Sequence, residues 1–283
     1  MTSGEALLVT RQTLAAAGFD DANVESTLLL GYILGISETE LYSEPERILT
    51  PSEIKELELL TSRRLHHEPL AYIVGHCQFY GHDFHLTRHT FIPRPETEFL
   101  VEEAVNFARR HHPENQLTLA DIGTGSGAVA ISLALALPEA RIYATEIDTQ
   151  ALKTARINCR QHGVSRRVIL LQGDLLEPLP GPVNVIIANL PYVKNNELEK
   201  LDPEIANFEP RIALAGGEDG LDIVRRLLTQ VQGRLHPDGC LLLEIGYTQS
   251  KAVNSLLVRH LPGADIKMIA DLAGIDRVAR VTL

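Results

Sequence analysis

The residues best suited to chemistry lie at four places where an apolar, β-forming run gives way to polar side chains. The first is Asp121-Ile122-Gly123-Thr124-Gly125-Ser126-Gly127, followed directly by the apolar run AVAISLALAL. Glycines at 123, 125 and 127 permit a sharp turn and let a ligand approach the backbone with no Cβ in the way. No Lys-Ser or Lys-Thr pair follows the last glycine, so this is not a Walker-type phosphate loop. A tight strand-to-helix turn also needs glycine for structural reasons, so the loop alone proves little. The second place is RIYATEID, which sets Glu146 at the end of its run. An acid about 20 residues past a glycine turn can accept from both hydroxyls of a ribose. Asp148, two residues on, has the type and position of a helix cap. The third is Gly173-Asp174-Leu175, where an acid can accept from an adenine amino group and the apolar residue after it can cover the ring. A ribose acid and an adenine acid together imply an adenosyl ligand.

The fourth place, Val183 to Val193, reads VNVIIANLPYV, and it separates nicotinamide cofactors from S-adenosylmethionine. Hydride transfer has no use for Asn-Leu-Pro-Tyr at a strand end, whereas methyl transfer to a planar nitrogen does. The lone pair of an amide or exocyclic amine is delocalised, which makes the nitrogen a poor nucleophile. Two acceptors, the Asn189 side-chain oxygen and the Leu190 carbonyl, would fix its two N–H groups in line with a sulfonium methyl. They would also favour the positive charge that develops on nitrogen. Pro191 stiffens the turn, and Tyr192 would lie against the flat group. A strand stopped by a proline turn is the plain structural alternative. Its weight falls because the motif comes fourth, after a glycine loop and two correctly spaced acids.

These strand ends need a sheet to hold them. From about Pro95 the chain alternates helix and strand: helix Glu96 to Arg110, then LTLADIG, AVAISLALAL, RIYATEI, TQALKTARINCRQHG, RVILLQGD and VNVIIANL. It continues with LDIVRRLLTQVQGRL, CLLLEIG, SKAVNSLLVRHL, ADIKMIA and RVARVTL. Such alternation calls for a mainly parallel sheet covered by helices on both faces, with ligands at the carboxyl ends of its strands. Residues 1–69 instead show helical spacing. Ser3 is a candidate cap, Gly18 a stop, Val24 to Leu34 a second helix, and Thr50-Pro51-Ser52-Glu53 the start of another. Residues 70–93 turn aromatic and β-branched around Gly75 and Gly81, which predicts a β-hairpin connector.

The chain has 283 residues, 45% hydrophobic and 22% charged, enough to bury one large core or two smaller ones. No apolar run nears the ~20 residues of a spanning helix, and the N-terminus lacks the pattern of a secretory signal. Three scattered cysteines, Cys77, Cys159 and Cys240, predict buried thiols in a reducing cytoplasm rather than a disulfide framework. A net charge of −11 argues against nucleic-acid binding by bulk electrostatics. Eight of the eleven histidines fall between 66 and 112, but His82, His85 and His89 have no acid or cysteine cluster beside them, and no metal is expected. Arg94 and Glu96 either close over the site or cap the next helix. Glu209-Pro210-Arg211 either orders a loop near the substrate or simply packs, and Glu244 and Gln249 read as structural.

At these residues the chain resembles the class I S-adenosylmethionine-dependent methyltransferases, and within them the HemK/PrmC family of peptide chain release factor glutamine methyltransferases. The resemblance is carried by EPLAYIVGHCQFYGHDFHLTRHTFIPRPETEFLVEEA, DIGTGSG, NLPYV, FEPRIALAGGEDGLDIVRRLL and LLLEIGYTQ. It implies a Rossmann-like, seven-stranded, mainly parallel sheet with a small N-terminal helical bundle. The implied domains are 1–69 for substrate recognition, 70–93 as connector and 94–283 for methyl transfer. The implied reaction passes a methyl group from S-adenosyl-L-methionine, leaving S-adenosyl-L-homocysteine, to the glutamine amide of the Gly-Gly-Gln loop of bacterial class 1 release factors. Gly123, Thr124, Gly125, Ser126 and Gly127 would form the cofactor loop, with Glu146 at the ribose, Asp174 and Leu175 around the adenine, and Asn189 through Tyr192 at the target amide, Asn189 also bordering the cofactor. The family usually has proline where this chain has Leu190, and often an aromatic where it has Leu175. Leu190 still supplies its carbonyl, but the turn gains a free N–H. The enzyme is expected to be a cytoplasmic monomer without a membrane or nucleic-acid partner. Competing readings are methylation of a ribosomal-protein glutamine, methylation of an adenine amino group in nucleic acid, and a cofactor-binding module without catalysis.

Overall fold

The computed structural model describes residues 1–111, 117–271 and 273–283. The chain forms two compact units: Met1–Gly75 with Pro203–Phe208, and His76–Asp202 with Glu209–Leu283.

The first unit is helical: α1 (Ser3–Ala16), α2 (Ala22–Leu34), α3 (Glu38–Ser43), α4 (Pro51–Leu65) and α5 (Leu70–Val74). Three of these start on reciprocal capping boxes, Thr2 with Glu5, Ser37 with Glu40, and Thr50 with Glu53. The cap of α1 is thus Thr2 rather than Ser3. Three residues past Ser3 stands Ala6, which cannot return a bond, and Ser3 is buried with its hydroxyl donating to the Glu44 carbonyl at 2.7 Å. Leu14, Leu29, Leu30, Leu41, Leu57, Leu60 and Ile73 belong to the core of this unit. Beside them Arg64 is buried, pairs with Glu25 at 2.7 and 2.9 Å, and lies 4.1 Å over the Phe19 ring. It also pairs with Glu204 in the Pro203–Phe208 segment. Leu70–Val74 is helical rather than extended, with Gly75 at φ +80° closing it.

The second unit begins with a hairpin, β1 (His76–Phe79) and β2 (His82–His85), which turns through Tyr80 and Gly81 at φ +51° and +73°. Positive φ at both central residues gives the twist that a two-residue hairpin turn needs. The helices that follow are α6 (Pro95–His111), α7 (Ala128–Ala136), α8 (Thr149–Gln161), α9 (Pro203–Phe208, the segment already placed in the helical unit), α10 (Asp222–Gln230) and α11 (Ser250–His260). The strands are β3 (Thr118–Ile122), β4 (Arg141–Glu146), β5 (Val168–Gln172), β6 (Val183–Ala188), β7 (Leu235–Glu244), β8 (Asp265–Ala270) and β9 (Asp276–Thr282). They form one sheet in the order β5-β4-β3-β6-β7-β9-β8. The strands from β5 to β7 run parallel, and β9 is antiparallel to both its neighbours.

Both faces of the sheet are covered, which explains the unbroken apolar runs. Leu119, Val185, Ile187 and Leu242 join one core cluster, while Ala120, Ile122, Ile186, Ala188, Leu241 and Leu243 join the other. The expected fold class is observed. The strand order reverses at β3, whose two parallel partners are β4 and β6, and a ligand crevice opens at such a switch point.

Candidate active site

Asp121, buried one residue before the end of β3, organises the turn after it. Its carboxylate accepts from the Thr124 hydroxyl at 2.6 Å and from the Ala130 N–H at 3.1 Å. Burial pushes its carboxyl up to about 6 despite these two bonds. Gly127 has φ +84°, and a Cβ there would fall 3.1 Å from Ile131 Cδ1 and 3.3 Å from Ala155 Cβ. Gly125 has φ +56°, yet a Cβ there would meet no atom within 4 Å. It borders open space. Thr124 and Ser126 are buried, and the Ser126 carbonyl accepts from Asn158 of α8 at 2.8 Å.

The register of β3 on β4 pairs Ile122 with Thr145 and so sets Glu146 beside the turn. Its carboxylate accepts from the Gly125 N–H at 3.0 Å and from the Asp148 N–H at 2.9 Å. Asp148 caps α8, accepting from Gln150 and Ala151. After β5, Asp174 forms an ion pair with Arg226 of α10, a partner that no local pattern signals. Leu175 stands at φ +50°, with its side chain in the second core cluster.

The turn after β6 lies against the glycine turn, because a Cβ on Gly123 would meet Leu190 Cδ2 at 3.5 Å. Leu190 is buried. The Asn189 amide donates to the Thr97 hydroxyl of α6 at 3.0 Å, and that hydroxyl donates to Glu244 at the end of β7 at 2.7 Å. Burial pushes the Glu244 carboxyl up to about 7. The Tyr192 carbonyl accepts from Gln249 at 3.1 Å, and the same amide group donates to the Gly220 carbonyl at 3.1 Å. A Cβ on Gly220 would fall 2.3 Å from the Tyr192 oxygen, so only glycine lets this loop close on the turn. Burial, with Glu244 next, pushes the Tyr192 phenol up to about 12. Sequence reasoning missed Thr97 and the partners of Glu244 and Gln249. Nothing near them in the chain marks them, because their partners come from other elements.

Arg94 pairs with the buried Glu209 and lies 4.9 Å over the Phe91 ring, while Glu209 also accepts from the Ile92 N–H at 3.4 Å. This ties the Pro-Arg-Pro segment to Glu209. On the hairpin, His76 pairs with Asp83 at 2.7 Å, and His162 bonds the Asp83 carbonyl at 2.8 Å. No group of three or more His, Cys, Asp or Glu among the described residues could hold a metal ion; His112 lies outside them. Cys77, Cys159 and Cys240 are free, and burial raises all three thiols. No helix among the described residues is long and apolar enough to cross a membrane.

A glycine turn, a carboxylate that holds it and an Asn-x-Pro-Tyr turn beside it, on a sheet of this order, together define a class I S-adenosylmethionine-dependent methyltransferase. Residues 97–206 match the family described as methyltransferase small domain, and residues 5–75 match PrmC N-terminal domain. Among solved structures, the fold is shared with a methyltransferase from Pyrococcus furiosus at TM-score 0.53 and 18% identity, covering 78% of this chain and 96% of that one. It is also shared with the hMettl16 catalytic domain at TM-score 0.57 and 16% identity, covering 82% of each. The chain is 40% identical over 278 residues to the release factor glutamine methyltransferase of Moorella thermoacetica, covering 98% of this chain and 97% of that one. It is 37% identical over 279 residues to that of Bradyrhizobium diazoefficiens, covering 97% and 94%. The chain belongs to the release factor glutamine methyltransferase family.

Proposed function

We propose that this protein methylates the side-chain amide nitrogen of the glutamine in the Gly-Gly-Gln loop of class 1 peptide chain release factors. S-adenosyl-L-methionine supplies, when bound, an electrophilic methyl group on a sulfonium. The residues present fit that cofactor. Gly125 leaves open the space that a side chain would fill, and the Glu146 carboxylate beside it can accept from ribose hydroxyls. In this reading Gly123 to Gly127 approach the cofactor through backbone, Glu146 holds the ribose, and Asp174 and Leu175 border the adenine.

Asn189 Oδ1 and the Leu190 carbonyl accept the two N–H groups of the glutamine amide. They thereby orient its nitrogen for in-line attack and favour the positive charge that grows on it. Tyr192 lies against the planar amide, and Pro191 keeps the turn rigid. The observation that carries the reading is the contact between the two turns, Leu190 Cδ2 lying 3.5 Å from the Cβ position of Gly123. It supports acceptors that lie next to the glycine turn.

The wider assignment is that residues 1–69 grip the release factor, 70–93 connect, and 94–283 transfer the methyl group. The enzyme would work in the cytoplasm as a monomer and would not take nucleic acid as substrate, a reading that the net charge of −11 supports. The test is incubation with labelled S-adenosylmethionine and a release factor, with a release factor lacking the loop glutamine as control. Label is expected on the first alone, and equal labelling of both overturns the substrate assignment.

A further inference from the structure

The hydrogen bonds behind Asn189 have a direction, and that direction decides which end of its amide faces the target. A threonine hydroxyl has one proton to donate, and an ionised carboxylate only accepts. With Glu244 Oε2 at 2.7 Å, the Thr97 proton therefore goes to Glu244. Thr97 Oγ1 then offers Asn189 only a lone pair, which the –NH2 end of the amide satisfies at 3.0 Å. The Asn189 amide is also among the groups that hold the Glu244 carboxyl down against burial, as an N–H end turned toward a carboxylate does. The –NH2 end is turned back onto Thr97, and Oδ1 is turned the other way.

We propose that Thr97 and Glu244 are positioning residues that lock the Asn189 amide with Oδ1 toward the target nitrogen. This rests on the acceptor role given to Asn189 above. An amide turned over would present N–H groups to the N–H groups of the substrate and oppose the positive charge developing there. Protonated Glu244 undoes the lock, since its O–H can donate to Thr97 Oγ1 and free the threonine proton for Asn189 Oδ1. The groups facing Glu244 are Glu96 of α6, which raises it, Arg277 of β9, which lowers it, and Tyr192 of the turn after β6. With burial dominant and the carboxyl pushed up to about 7, the lock forms as pH rises through neutrality.

The test follows methyl transfer to the release factor by the full-length enzyme from about pH 6 to about pH 9. Thr97→Val should lower kcat by about 10- to 100-fold, a misorientation-sized loss, while the KM for cofactor moves less than about threefold. Thr97→Ser, which keeps the hydroxyl, should recover most of that loss. Glu244→Gln should abolish the acid limb of the wild-type kcat profile. A second readout needs no turnover: the Asn189 side-chain N–H pair in the nitrogen–proton spectrum, identified by its loss in Asn189→Ala. Its protection from exchange should fall in Thr97→Val and persist in Thr97→Ser. If wild type fails to methylate the release factor, the functional reading falls while this spectrum still decides the lock. Unchanged kcat or unchanged protection in Thr97→Val, or an acid limb that survives Glu244→Gln, overturns the proposal.

Discussion

Around the glycine turn proposed to hold the cofactor, most of the bonds join residues close in the chain, the longest reach being Asn158 to Ser126, 32 positions apart. Asp121 reaches Thr124 and Ala130, 3 and 9 positions on, and Gly125 reaches Glu146, 21 positions on. On the acceptor side, Asn189 is held by Thr97, 92 positions away, Thr97 by Glu244, 147 away, and Tyr192 by Gln249, 57 away. One side is a motif that a single strand-turn-helix can form almost by itself. The other exists only after α6, β6, β7 and α11 have been packed together. The two sides therefore have different weaknesses: a point change on the first should weaken cofactor binding, and one on the second should spoil orientation while leaving that binding alone.

The sharpest break of the comparison is Asn189→Ala. Loss of one preorganised partner of the developing charge should lower kcat by about 100- to 1000-fold, with cofactor affinity in calorimetry moving far less. A parallel loss of cofactor affinity would mean that the two sides are one unit.

Next in size is the pH dependence of stability, to which both sides contribute. Burial raises Glu244 to about 7 and Asp121 to about 6. Each carboxyl binds its proton more tightly in the folded chain, so the stability it contributes is full below the ordinary carboxylate range. It is lost as pH rises through about 7 for Glu244 and about 6 for Asp121. For Glu244 the effect is on the order of 3 kcal/mol. Glu244→Gln should flatten denaturant midpoints against pH and leave only the shallower Asp121 slope. An unaltered slope would show that Glu244 is ionised in the folded chain over that range, as it is in the unfolded chain.

Glu146→Ala should weaken cofactor binding by about 10- to 100-fold, the worth of a hydrogen bond to a charged group, with the KM for release factor little moved. The smallest effect belongs to Leu190→Pro. The carbonyl survives, so kcat should change by less than about threefold, while lost packing of a buried leucine costs about 1 kcal/mol in thermal unfolding. A large fall in kcat would show that this turn needs the leucine N–H or side chain for orientation.

The strands β3, β6 and β7 were legible because their apolar runs are buried on both faces, β8 because less and more exposed residues alternate along it, and the helices between them because their apolar spacing is regular. Asp148 was legible as a cap because an N-cap bond closes within three residues. Leu70–Val74 and Pro203–Phe208 were not, since a helix of one turn carries too few residues to show a period. Ser3 was mistaken for the cap because serine and threonine compete for that place, and the acid three residues on decides between them. The ion pair of Asp174 with Arg226 and the Thr97 to Glu244 bond were invisible for a different reason. Their partners become neighbours only through the order of the strands.

By itself the sequence determined the sheet, the glycine turn at the end of β3, the acid that holds it and the place of the Asn189 turn. Each of these is settled by side-chain volume, backbone freedom or a hydrogen bond closed over a few residues. Only the tertiary structure decided which way the Asn189 amide points and what lies behind it. An amide offers a donor at one end and an acceptor at the other with nearly equal shape, and only its neighbours in space can tell the two apart.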